Sequence, residues 1–131
     1  MIVGFTNGCF DKLHKGHEHL IREAQKQCDR LVVLVDVDER VRELKGPGRP
    51  IQNQSFRRHN IQMLLRDGDV CWLFSDEGEL RKCLDWLIPD VIFKGSDYEN
   101  KPVEGSHLAR VVLIPRLEGF STTGEIEKGR A

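Results

Sequence analysis

Two histidines near the N-terminus have the residue type and spacing to act on a phosphate group. His14 and His17 are three residues apart with Gly16 between them, so both imidazoles can face one anion while the backbone comes close to it. Each imidazole can donate a hydrogen bond to a phosphoryl oxygen that gains charge in a transition state. A metal-binding pair and two unconnected surface histidines are the alternatives that this spacing leaves open.

The chain around these histidines has the pattern of a strand, a loop and a helix. Residues 2–6 are typical of a short buried strand, and residues 16–28 carry apolar side chains at helical spacing. The loop between them contains Asn7-Gly-Cys-Phe-Asp11. A helix N-terminus presents backbone N–H groups and the positive end of the helix dipole, so the pattern predicts an anion site there.

Basic side chains are concentrated between residues 40 and 58, where Glu43 is the only acid. Arg40 and Arg42 fit the solvated face of a short helix. Lys45 and Arg49 lie on a loop rich in glycine and proline, where helix solubility gives no reason for charge. This local basic segment predicts a clamp for a polyphosphate.

Two further loops carry polar groups at the ends of predicted elements. Lys94-Gly-Ser-Asp-Tyr98 follows a strand, and Ser121-Thr-Thr123 precedes the last helix. The hydroxyl groups of the second loop can cap that helix, and they can also bind another phosphate. The two roles are compatible.

The order of elements predicts the fold class. Strands are predicted at residues 2–6, 31–35, 70–74, 91–93 and 111–114, and helices at 16–28, 38–44, from an N-cap at Ser55 to about 65, at 77–87, and from Thr122 or Thr123. This alternation predicts an α/β domain with a parallel, doubly wound sheet. Ligands of such sheets bind beyond the carboxyl ends of the strands, which selects the loops after Thr6, Val35, Phe93 and Ile114.

Composition narrows the classes of protein. The 131 residues predict one domain, 1–131, and a net charge of −1 excludes a polycationic nucleic-acid coat. Only 7% of residues are aromatic, which argues against a surface for stacking bases. The four cysteines have no metal-site spacing. With neither a signal peptide nor an apolar run of about 20 residues, we expect a cytoplasmic protein with no membrane or nucleic-acid partner.

The motifs together resemble those of a known enzyme family. His14-Lys-Gly-His17 resembles the H-x-G-H signature of the cytidylyltransferase-like nucleotidyltransferases. The accompanying motifs stand in the family's order: Thr6-Asn-Gly-Cys-Phe-Asp11, Leu44-Lys-Gly46 with Arg49-Pro50, Lys94-Gly-Ser-Asp-Tyr98 and Ser121-Thr-Thr123. The resemblance runs from Ile2 to Thr123. It is strongest to the adenylyltransferase branch of the bacterial ADP-heptose synthases and next to the glycerol-3-phosphate cytidylyltransferases.

This resemblance implies a Rossmann-like fold with a parallel sheet of about five strands flanked by helices. It also implies a reaction without a covalent intermediate, in which an acceptor phosphate attacks the α-phosphorus of a nucleoside triphosphate and pyrophosphate leaves. ATP is favoured, with a sugar phosphate such as heptose 1-phosphate as acceptor. The alternative is transfer from CTP to glycerol 3-phosphate. Mg²⁺ bound with the triphosphate and a homodimer are further expectations.

The resemblance also implies roles for particular residues. His14 and His17 steady the α-phosphate, and Lys45 bridges it to the acceptor phosphate. The nucleotide-binding set is Asn7, Gly8, Cys9, Phe10, Gly16, Lys94, Gly95, Asp97, Arg116, Ser121 and Thr122. The acceptor-binding set is Asp36, Lys45, Arg49 and Arg57. Asp11 is expected to orient its loop, and no protein-held metal site is expected.

The chain departs from the family pattern near both substrates. Asp36-Val37 stands where heptose-type members carry Asn-Ser, and an aspartate there would repel a phosphate but could bind sugar hydroxyls. Arg116 resembles the cytidylyltransferase branch, in which an arginine helps to read cytosine. The acidic partner of that arginine aligns with Ser96, so half of the pair is present. A nucleotide sensor without activity is the alternative from another class, although both histidines of the motif remain.

Overall fold

The computed structural model describes residues 1–116 of the chain. The strands are β1 (Val3–Gly8), β2 (Arg30–Asp36), β3 (Val70–Phe74), β4 (Val91–Gly95) and β5 (Arg110–Ile114), and the helices are α1 (Lys15–Lys26), α2 (Asp38–Lys45), α3 (Gln54–Gln62) and α4 (Glu77–Leu87). A short 3₁₀ turn, Ser96–Tyr98, follows β4. The last helix, predicted from Thr122 or Thr123, lies outside the described residues.

The five strands form one parallel sheet in the order β3-β2-β1-β4-β5. From β1 the chain moves outward through β2 to β3, then returns through α4 to place β4 on the other side of β1. The strand order therefore reverses between β1 and β4, which is where open α/β sheets bind ligands. The predicted Rossmann-like α/β fold with five strands is confirmed.

The central strands are covered on both faces, as their unbroken apolar sequence predicts. On β2, Val33 packs in one cluster with Ile21 of α1, whereas Val32 and Leu34 pack on the opposite face with Leu84 of α4. All of these side chains are buried. The sheet is thus packed on both faces, and the loops that carry the candidate site residues follow the carboxyl ends of its strands.

Helix α3 begins and ends earlier than predicted. Its N-cap is Asn53, whose side-chain oxygen accepts a hydrogen bond from the backbone N–H of Phe56 at 2.8 Å. The predicted cap at Ser55 is therefore wrong by two residues, because Asn and Ser cap helices equally well and the spacing alone did not separate them. The helix ends at Gln62, where the following turn tightens as Leu65 donates to the carbonyl oxygen of Gln62.

Between residues 1 and 116, the structure contains no helix that is both long and apolar enough to cross a bilayer.

Candidate active site

A cleft of about 290 Å³ lies at the carboxyl ends of β1, β4 and β5, beside the first turn of α1. The predicted site residues that line it are Asn7, Gly8, Cys9, Phe10, His14, Gly16, His17, Lys45, Lys94, Gly95, Asp97 and Arg116. Sequence reasoning missed Thr6, His19, Leu20, Tyr98, Ile114 and Pro115. Several of these lie at a strand end or in the first turns of α1, and that position is the signal that could have found them.

Hydrogen bonds from backbone N–H groups at the start of α1 fix the imidazole rings of both histidines of the motif. His14 is the N-cap, with extended backbone, and its Nδ1 accepts a hydrogen bond from the N–H of Gly16 at 3.0 Å. His17 Nδ1 accepts a hydrogen bond from the N–H of His14 at 3.2 Å. This is a reciprocal capping box built from imidazoles, and it stacks the two rings with centroids 3.8 Å apart.

These hydrogen bonds assign the tautomer of both rings. A neutral imidazole whose Nδ1 accepts a hydrogen bond carries its proton on Nε2. The pKa of His17 is lowered to about 3 by burial and then by electrostatic interaction with His14 and Lys45. His17 is therefore neutral at pH 7 and can donate from Nε2.

Lys94 is a buried ammonium at the reversal of strand order, with 7% of its surface exposed. Its Nζ donates hydrogen bonds to the side-chain oxygen of Asn7 at 2.7 Å and to the carbonyl oxygen of Asn7 at 3.1 Å. Nζ also lies 4.9 Å from the ring centroid of Tyr98. Burial lowers the pKa of Lys94 to about 8, against the opposing fields of Asp36 and Asp97.

Two glycines in the cleft leave room for side chains that pack over them. A Cβ atom on Gly95 would lie 2.6 Å from the Oδ1 of Asp97, and one on Gly8 would lie 3.2 Å from the ring of Phe10. The ring of Phe10 in turn meets His17 edge-on, with centroids 5.5 Å apart. The small residues thus let the carboxylate and the aromatic ring reach their places.

Asp36 does not line the cleft. It is 4% exposed and lies behind Cys9, whose Sγ–H donates to one carboxylate oxygen at 3.0 Å, while Arg40 Nε donates to the other at 2.7 Å. Burial, and then the charge of Asp36, raise the pKa of the Cys9 thiol to about 12. Cys9 is therefore a protonated donor, and the carboxylate expected to meet a sugar hydroxyl already has two partners.

Arg57 and Arg49 also lie outside the cleft lining. Arg57 is completely buried, and its guanidinium donates to the carbonyl oxygens of Gln52, Cys9 and Asp36 and to the carboxylate of Asp38. Arg49 Nε donates to Asp11 at 3.0 Å.

Neither arginine lines the cleft, and Arg57 supports the surrounding loops. Ser121 and Thr122, the remaining nucleotide-binding candidates, fall outside the described residues.

A metal ion in the cleft would find a single carboxylate among the described residues that line it. In residues 1–116 no group of three or more His, Cys, Asp or Glu side chains could hold a metal ion. Asp97 is the one carboxylate among the described residues that line the cleft. Mg²⁺ commonly binds through one or two carboxylates together with substrate phosphates.

The fold and this cleft define a class of protein that the comparisons identify. The model of the cytidylyltransferase-like family matches residues 5–120. The chain belongs to the cytidylyltransferase-like family and is an enzyme of the nucleotidyltransferase class.

The chain is also similar in sequence to bifunctional proteins named HldE. The bifunctional protein HldE of Mesorhizobium japonicum is 44% identical over 134 residues, a match that covers 98% of this chain and 27% of the relative. The HldE protein of Rhodospirillum rubrum is 43% identical over 131 residues, covering 96% and 26%. The chain thus spans roughly a quarter of the length of these relatives.

Solved structures agree with the fold. A lipopolysaccharide core biosynthesis protein from Thermoplasma volcanium superposes with a TM-score of 0.70 at 28% identity, covering 90% of this chain and 99% of that one. A bifunctional NMN adenylyltransferase/ADP ribose pyrophosphatase from Francisella tularensis, complexed with AMP and a manganese ion, gives a TM-score of 0.70 at 16% identity, covering 97% and 41%. The second likeness concerns the fold alone.

Proposed function

We propose that this chain transfers AMP from ATP to the phosphate of a sugar phosphate such as heptose 1-phosphate and releases pyrophosphate. The observation that carries the proposal is the pair of stacked histidines, His14 and His17, at the N-terminus of α1 in the cleft. The similarity to HldE proteins over nearly the whole chain supports the adenylyl donor and the sugar acceptor.

In the proposed reaction an oxygen of the acceptor phosphate forms a bond to the α-phosphorus of ATP. The bond from that phosphorus to the α–β bridging oxygen breaks, and pyrophosphate carries away the electron pair. Nε2–H groups of His14 and His17 donate to the α-phosphate oxygens, and the N–H groups of the first turn of α1 add to the same field. The protein thus supplies positioning and charge stabilisation, which is the main contribution to phosphoryl transfer.

Lys45 is proposed to act between the two anionic substrates. It is exposed at the C-terminal end of α2, and it lines the cleft that also contains both histidines. An ammonium between the acceptor phosphate and the α-phosphate lowers the repulsion that opposes their approach. Mg²⁺ entering with the triphosphate would neutralise further charge, and Asp97 is the carboxylate that the described cleft lining offers to it.

Transfer from CTP to glycerol 3-phosphate is the second candidate, and Arg116 is the observation that favours it. Arg116 lies at the carboxyl end of β5 and lines the cleft, where a guanidinium can reach a cytosine. Ser96, which stands where an acidic partner would be, offers no negative charge to orient that guanidinium.

Pyrophosphate release by the purified chain with Mg²⁺ tests both candidates. One reaction contains ATP and heptose 1-phosphate, and the other contains CTP and glycerol 3-phosphate. We expect release in the first reaction only. Release in the second alone would replace the proposal by the cytidylyltransferase activity, and no release in either would contradict both.

We further propose that the chain acts in the cytoplasm and that it forms a homodimer. Trp72 on β3 and Trp86 on α4 are exposed, and their rings lie 6.4 Å apart, which gives an apolar surface suited to a partner. Sedimentation equilibrium should give twice the chain mass. A monomer at all concentrations would contradict the dimer.

A further inference from the structure

The segment between α2 and α3, residues 46–53, is fastened to the loop after β1 by a buried carboxylate. Asp11 has no exposed surface, and its Oδ2 accepts hydrogen bonds from the N–H of Ile51 at 2.8 Å and from Arg49 Nε at 3.0 Å. Its Oδ1 accepts a hydrogen bond from the N–H of Gln52 at 3.0 Å. Burial opposes ionisation of this carboxyl, but these three donors outweigh it and lower its pKa.

A buried guanidinium fastens the same two segments from the other side. Arg57 donates to the carbonyl oxygen of Gln52 in segment 46–53 and to that of Cys9 in the loop after β1, both at 2.8 Å. It also donates to the carbonyl oxygen of Asp36 at 2.7 Å, at the end of β2. We call Asp11, Arg57 and the groups they bind the clasp.

The clasp makes independent movement of the two segments costly. A buried charge is tolerated only while its hydrogen-bond partners stay in place. If the loop after β1 shifts, Arg57 and Asp11 must either carry segment 46–53 with them or lose partners in the interior. The two segments are thus joined into one unit.

The two ends of this unit serve different substrates in the proposed reaction. Cys9, on the loop after β1, lines the cleft and belongs to the predicted nucleotide-binding set. Lys45 lines the cleft and immediately precedes segment 46–53, which carries Arg49. Arg49 Nη2 is buried and has no hydrogen-bond partner within residues 1–116, so this segment still holds donor capacity for an anion.

We propose that Asp11 and Arg57 are positioning residues that couple nucleotide binding at the loop after β1 to the placement of Lys45 and Arg49 for the acceptor. The nucleotide orders its own loop, and the clasp transmits that order to segment 46–53. Each substrate then raises the affinity for the other by the same factor. The acceptor half of this inference rests on the proposed function.

Hydrogen–deuterium exchange of segment 46–53 tests the transmission without any acceptor. The probe is α,β-methylene-ATP, with α,β-methylene-CTP as a second arm. The test variant is Arg57→Lys and the matched control is Arg58→Lys, since Arg58 on the same helix donates to the carbonyl oxygen of Cys71 in β3 instead. Thermal unfolding of each variant checks that it is folded.

We expect the bound analogue to slow exchange in segment 46–53 by about tenfold in the parent chain and in Arg58→Lys. In Arg57→Lys the analogue should still bind, but the slowing should fall below about twofold. Equal slowing in Arg57→Lys, or none in the saturated parent chain, would overturn the inference. If Arg57→Lys does not fold, Asp11→Asn decides in the same way, because it keeps the side-chain shape while removing the charge.

Calorimetric titration of heptose 1-phosphate with and without the analogue completes the test. We expect the analogue to tighten acceptor binding by about tenfold in the parent chain and in Arg58→Lys, but not in Arg57→Lys. If heptose 1-phosphate fails to bind, the proposed acceptor is wrong, and the exchange measurement still decides the clasp. If neither analogue binds the parent chain, both the proposed function and the clasp are contradicted.

Discussion

At the scale of single residues, the charge state of the cleft side chains decides what chemistry is possible. His17 is neutral because its pKa is lowered to about 3, whereas the Cys9 thiol stays protonated because its pKa is raised to about 12. The thiol of Cys9 is therefore not a thiolate nucleophile at neutral pH, and the Nδ1 lone pair of His17 is occupied by the hydrogen bond from the N–H of His14. Both are hydrogen-bond donors, which suits a reaction without a covalent intermediate.

His17→Asn should lower kcat by about two to three orders of magnitude. Asparagine can still accept the backbone N–H of His14 in place of Nδ1, but it has no donor at the position of Nε2. The measurement is steady-state pyrophosphate release. His59→Ala, an exposed histidine on α3, is the control and should keep parental turnover. Near-parental turnover in His17→Asn would place the α-phosphate donor elsewhere.

Nucleotide affinity should fall as the pH rises through about 8, the pKa to which burial lowers Lys94. Below that pH the ammonium attracts the triphosphate, and above it the amine is neutral and the attraction is lost. The dissociation constant of an ATP analogue, titrated between pH 6.5 and 9.5, measures this loss. The range extends about 1.5 pH units on either side of the pKa of Lys94. Lys94→Arg should remove the pH dependence, since arginine stays charged. A flat profile in the parent chain would exclude Lys94 from binding.

At the scale of elements, local signals predicted where helices occur better than where they begin. Strand β2 was predicted almost to its ends because an unbroken apolar run fits a strand covered on both faces. The start of α3 was not predicted correctly, since both Asn53 and Ser55 are good N-cap residues. Only the backbone geometry, with the Asn53 oxygen 2.8 Å from the N–H nitrogen of Phe56, separates them.

Asn53→Ala should lower the free energy of unfolding by about 1 kcal/mol, the usual contribution of an N-cap. Ser55→Ala is the matched control and should change it by less than about 0.5 kcal/mol, as an exposed substitution without a cap does. Urea unfolding curves of the two variants measure the difference. Equal losses would mean that the cap oxygen contributes nothing here.

At the scale of the whole molecule, sheet order determines which loops can share a ligand. Strands β4 and β5 are neighbours, with Gly95 paired to Ile114. Ser96 and Arg116 each follow those paired positions within two residues, so the sheet brings the ends of two distant segments together. If Ser96 and Arg116 act together on the base, as the cytidylyltransferase alternative requires, the assembled sheet edge brings them together.

Ser96→Asp should shift the ratio of kcat/KM for CTP over ATP upward by about tenfold or more, since a hydrogen bond between Arg116 and a charged partner contributes roughly 1.5–3 kcal/mol in all. Competition between the two triphosphates for pyrophosphate release measures the ratio. Ser96→Asn is the neutral control. An unchanged ratio in Ser96→Asp would remove Arg116 from base recognition.

The sequence by itself determined the α/β class and the parallel sheet, because hydrophobic periodicity is local, and its resemblance to a known family indicated most of the residues of the cleft. His14, His17 and Lys94 could be selected from type and position alone. Tertiary structure decided which charged residues line the cleft and which pair with other parts of the chain. Asp36 and Arg57 have the same residue types as ligand-binding groups, but their partners come from segments distant in sequence. Burial and pairing arise only when those segments meet, so no local sequence pattern could distinguish a residue that lines the cleft from a residue of the clasp.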